Sequence, residues 1–129
     1  MGRWVAVRAL AGLTGLMAPM AASAQDMTVR DFLAHATALQ SRGAAAADAP
    51  EYQRLKDEVA HATAAYRAML ATDAQAGTPP HSCPPPKGAL RLTSKDLFAD
   101  FRTIPPEQRE LTVREAFYAF MKRRYPCAK

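Results

Sequence analysis

The side chains able to do chemistry are few, and their spacing limits what they can do. After residue 24 the serines are Ser41, Ser82 and Ser94, and none sits in the strand-turn-helix setting that exposes a nucleophile. His35 and His61 fall inside helical patterns with no histidine four residues away, so neither opens a zinc site. His81-Ser82-Cys83 offers two ligands where a metal needs about four. No two glycines beyond residue 24 lie close enough to form a phosphate-cradling loop. Asp57 with Glu58, and Glu107 with Glu110, stand among lysines and arginines on polar faces, where a solvated, ion-paired setting is expected and not that of a general acid. Lys122-Arg123-Arg124 closes a helix, where cations complement the dipole. These patterns argue against an enzyme, a metal centre, a cofactor or a nucleic-acid partner.

The elements that carry these residues read as helices. Thr28 can cap the first, with Asp31 at its third position and Met27 stapled to Phe32. Val29, Phe32, Leu33, Ala36 and Leu39 then share one face until Gly43. Ala44–Ala49 reads as a small-residue connection. Pro50 suits a first helical turn. Tyr52, Leu55, Val59, Ala62, Tyr66 and Met69 or Leu70 continue the apolar period to Gly77, which gives about 27 residues and roughly 40 Å of helix.

Five prolines fall within residues 78–87, and that density opposes both helix and strand. A stiff extended loop is expected, and the cysteine in its middle suits a tethered loop better than an SH3-type ligand. Beyond it, Thr93 and Asp96 open a short helix burying Leu97, Phe98 and Phe101. One turn is expected at 106–109. Thr112 and Glu115 then cap a last helix with Val113, Ala116, Phe117, Phe120 and Met121 inward, and Pro126 ends it. Met27–Asp31 and Leu111–Glu115 are alike, which the shared need to cap a helix explains better than duplication. No run alternates for long enough to form a strand. The expected fold is all-α: a small single-domain bundle of about four helices with a Pro-rich loop and one disulfide.

The 129 residues carry 17 Lys+Arg and 12 Asp+Glu. Residues 1–24 read as a secretory signal, with Arg3 and Arg8 ahead of the apolar run Ala9–Met20 and Ala22-Ser23-Ala24 before the cleavage point. That run is short for a membrane span. With Arg3 and Arg8 gone, 15 basic residues face 12 acidic ones, an ordinary charge of +3 on residues 25–129. The domain is expected to divide into a helical hairpin at 25–77, the Pro-rich loop at 78–91 and C-terminal helices at 92–129. The chain has no Asn and a single Ile, a bias that fits a GC-rich bacterial genome. Gln25 occupies the position where a lipoprotein needs Cys. A periplasmic location is expected, with secretion as the alternative. In that oxidising compartment Cys83 and Cys127 are expected to pair, free or intermolecular thiols being the alternative.

Cys83-Pro-Pro, a capped helix, Ile104-Pro-Pro-Glu-Gln-Arg109 and Ala116–Cys127 ending in Tyr125-Pro126-Cys127 follow one another in this order. Over residues 83–127 the chain resembles the Rap/Tai immunity proteins of type VI secretion amidase effectors. That family shows a Cys-x-Pro opening, a helix, a Pro/Arg break and a final helix ending in aromatic-Pro-Cys. Thr28-Val-Arg-Asp-Phe-Leu33 is similar in style to its first helix. Family members carry further cysteines in the first half, whereas this chain has none before Cys83, and the Pro-rich loop and long second helix find no counterpart. The resemblance implies a non-enzymatic protein that blocks a peptidoglycan amidase, often as a dimer. The residues themselves lead to a non-catalytic binding protein, with a structural or chaperone-like helical protein as the alternative. His81, Lys87, Tyr118 and Arg124 are the expected partner-binding patch, chosen by proximity to the Cys83–Cys127 bridge.

Overall fold

The computed structural model describes residues 26–129, so the reading of residues 1–24 as a signal peptide lies outside the described residues. The described residues form four α-helices: α1 (Val29–Ser41), α2 (Pro50–Ala76), α3 (Ser94–Thr103) and α4 (Val113–Arg124). The 3-10 segments Gly43–Asp48 and Pro106–Gln108 lie between α1 and α2 and between α3 and α4, and the Pro-rich loop joins α2 to α3. The fold is all-α, and among the described residues the only β-type pairing is the isolated bridge between Thr28 and Thr112.

Each boundary has a local cause. Thr28, Thr93 and Thr112 accept hydrogen bonds from the third backbone N–H of α1, α3 and α4. Asp96 and Glu115 return the bond to the cap backbone at 2.9 and 2.8 Å, so two orphan donors are satisfied at each end. Pro50 starts α2 without a side-chain cap. Gly77 ends α2 at φ 66°, a left-handed conformation that glycine adopts at no steric cost. Residues 44–48 coil as part of a 3-10 helix where a plain connection was expected, since alanines have no side chain opposing a tight turn.

All five expected core residues of α1 and all five of α4 are buried. In α2 the stripe holds at Leu55, Ala62 and Tyr66, but Tyr52 is 43 % exposed. It lies three residues before Leu55, about 60° round the helix and at the margin of the stripe, where the Lys56 ammonium covers its ring at 5.6 Å. Phe98, also expected inside, is half-buried at the edge of the α3 stripe. The Arg102 guanidinium lies 4.3 Å above its ring, while Phe101 inside makes an edge contact with Phe32 at 5.4 Å.

The two like segments Met27–Asp31 and Leu111–Glu115 meet in space. Val29 N–H donates to the Leu111 carbonyl at 3.0 Å, and Val113 N–H donates to the Met27 carbonyl at 2.8 Å. The flanking charges follow the same local twofold: Arg30 pairs with Glu110, and Arg114 with Asp26. Each segment therefore caps its own helix and clasps the other, which ties the first turn of α1 to that of α4. Capping accounts for the threonine in each segment and for Glu115. Asp31 makes no return bond and stands in the first turn of α1, where a negative charge favours the dipole. The clasp accounts for the repeated Val-Arg.

The two capping boxes have a measurable acid signature. Backbone and side-chain hydrogen bonds from Thr112 hold the Glu115 carboxyl below its ordinary value, and the side chain and backbone of Thr93 do the same for Asp96. A carboxylate favoured by folding adds stability above its unfolded pKa and loses it as pH falls through the folded value. Thr112→Ala should cost about 1 kcal/mol at neutral pH in urea unfolding and should flatten the decline in stability below the usual carboxylate range. An unchanged acid limb in the variant would contradict this role.

Candidate functional site

Helix α2 brings Tyr66 to the centre of the bundle, where it is 1 % exposed. Its ring meets Phe117 edge-on at 5.6 Å and Tyr118 at 5.6 Å, both from α4, and His81 from the Pro-rich loop at 6.4 Å. His81 and Tyr118 stand 6.0 Å apart on the half-buried side of this cluster.

Below the rings, Ser82 is buried at 1 % exposure. Its Oγ lies 2.5 Å from the Tyr66 hydroxyl and 3.2 Å from His81 Nδ1. The Ser82 hydroxyl thus joins the Tyr66 hydroxyl to the His81 ring in one chain of three polar groups. A hydroxyl can donate and accept at once, so Ser82 meets both partners from a single buried oxygen. The Ser–His contact does not make a nucleophile. Ser82 Oγ is sealed under Tyr66 and has no approach to a substrate carbonyl.

The next residue fixes the loop again. Cys83 N–H donates to the Tyr125 carbonyl at 2.8 Å, and Cys83 is disulfide-bonded to Cys127 with Cα atoms 4.9 Å apart. Cys127 Sγ rests 3.8 Å from the Pro80 carbonyl; a disulfide sulfur has no proton, so this is a packing contact. The loop is thus held at Ser82, at the Cys83 backbone and through sulfur. It is less exposed than its proline content implies, since Pro84 and Pro85 are half-buried.

Of the four residues expected to form the patch, His81 and Tyr118 come together. Lys87 stands instead over the α2 groove formed by Ala60, Thr63, Ala64 and Arg67. Arg124 faces Asp96 at the start of α3. Burial raises the Tyr118 hydroxyl above the ordinary tyrosine value; the Asp26 carboxylate adds to this and Arg114 opposes it. Tyr66 and Ser82 support the patch from beneath and were not singled out from the sequence. Tyr66 was legible as a core position, whereas a serine between His and Cys carries no sign that it will be buried.

Among the described residues no three His, Cys, Asp or Glu side chains converge as metal ligands would, and no helix is long and apolar enough to cross a membrane. Compared with family models, curated proteins and solved structures, the chain gives no match.

Proposed function

We propose that this is a non-catalytic, exported helical protein that binds a periplasmic protein through His81, Tyr118 and the adjoining Pro-rich loop. The observation that carries the reading is the triple fixing of the loop beside a half-buried tyrosine–histidine pair. A segment ordered before binding loses little entropy on docking, and tyrosines are favoured at the centres of interfaces. The finer form of the reading, immunity against a cell-wall amidase, rests on the likeness of residues 83–127 to the Rap/Tai proteins. The two-cysteine bridge supports export, because such bonds persist in oxidising compartments.

Two measurements test it. Intact mass of the exported protein should correspond to a chain beginning at Gln25, with or without loss of ammonia as Gln25 cyclises; a mass retaining residues 1–24 would refute export through that signal. Affinity capture from periplasmic extract should recover a partner with the wild type and lose it with His81→Ala/Tyr118→Ala, circular dichroism showing that the variant is folded. Equal recovery by both chains, or none by either, overturns the binding role.

A further inference from the structure

Two hollows lie side by side along α2, faced by residues 87–94 and, in the first, by α3 and α4, and their chemistry differs. The first, of about 220 Å³, is lined by Val59, Leu90, Leu92, Leu97 and Phe117, with Thr63, Thr93 and Ser94 among its walls. The second, of about 420 Å³, has a floor of Ala60, Thr63 and Ala64 and two cations, Arg67 and Lys87. Thr63 belongs to both.

Polarity therefore changes along a single helix. Val59, Thr63 and Arg67 are spaced one turn apart, so about 12 Å separates the apolar end from the cationic end. Thr63 presents little polarity at the junction, since its hydroxyl already donates to the Val59 carbonyl at 2.8 Å. Neither Arg67 nor Lys87 takes part in any of the ion pairs among the described residues, all of which use other cations. Unpaired charge beside an apolar recess is how a site for a ligand with both characters is built.

We infer that this groove binds a single-chain anionic amphiphile, an alkyl carboxylate, with its head between Arg67 and Lys87 and its tail against Val59, Leu90 and Phe117. Charge complementarity selects the head, and the apolar hollow selects a tail over a bare anion. The site shares Lys87 and Leu90 with the Pro-rich loop but uses neither His81 nor Tyr118, on which the partner test rests, so the two readings can fail separately.

The test is an NMR titration of the full exported chain with decanoate below its micelle concentration. Decylammonium serves as the probe with the same tail and opposite charge, and acetate as the head alone. Decanoate should give saturable shifts at Thr63, Leu90 and Phe117, and the two controls should give none. Arg67→Gln/Lys87→Gln removes both cations from the groove and should weaken decanoate at least about ten-fold, the loss expected from even one charge-assisted contact. Leu90→Asp should abolish tail binding. Absence of saturable shifts, equal binding of decylammonium, or unchanged affinity in the double glutamine variant would each overturn the inference. Partner capture by His81 and Tyr118 would be untouched by any of these results.

Discussion

Replacing Cys83 by alanine is expected to lower stability by about 4 kcal/mol, the loop-closure entropy of a bridge joining residues 44 apart. Small domains have total stabilities of about 5–15 kcal/mol, so this loss is a large fraction of the whole. It corresponds to a fall in Tm of roughly 15–30 °C. The Cys83→Ala/Cys127→Ala double variant should lose no more than the single one, because the cross-link is absent from both. Reductant should bring the wild type to the same midpoint. A variant melting within a few degrees of the oxidised protein would show that the bridge contributes little. The local consequence is separable. The Cys83 backbone bond to Tyr125 and the Ser82 bond to Tyr66 do not involve sulfur, so His81 should keep its contact with Tyr118 when the reduced protein is still folded.

The second large effect is expected at Tyr66. Tyr66→Ala removes a fully buried ring that touches Phe117, Tyr118 and His81, and large-to-small changes of this kind cost about 3–5 kcal/mol. Tyr66→Phe keeps the ring and deletes the hydroxyl. Ser82 keeps its contact with His81 Nδ1, so the expected cost is only about 1 kcal/mol. Urea unfolding of the pair separates packing from hydrogen bonding. Near-equal losses would mean that the buried chain of three polar groups, and not the ring, holds the loop down. Tyr66→Ala should also reduce partner capture in step with the disorder it causes at His81, whereas Tyr66→Phe should preserve it.

Helix position was legible because its causes are local. Threonine caps with an acid three residues on, Pro50, Gly77 and the apolar period act within a turn or two, and α2 spans the expected 27 residues. The cysteine pair was legible because a chain with two cysteines has one intramolecular choice. The exposures of Tyr52 and Phe98 were not legible in the same way. Both fit the period, but each sits at the margin of its stripe, where burial depends on the width of the neighbouring surface and a cation covers the ring instead.

What the amino-acid sequence determined by itself is therefore the all-α class, the ends of the helices, most of the core and the bridge. Only tertiary structure decided which segments meet. Met27–Asp31 and Leu111–Glu115 read as two independent caps until the fold pairs their backbones, because a hydrogen bond between residues some 84 apart leaves no periodic trace. The same holds for Ser82. A small polar residue in a proline loop is buried here because α2 presents one hydroxyl, Tyr66, at the place where the disulfide pins the chain. The separation of Lys87 from His81 has the same origin. The two residues come to rest on different parts of the bundle, His81 on the aromatic cluster and Lys87 over the groove beside Arg67, because their neighbours in the loop are held by contacts distant in the chain.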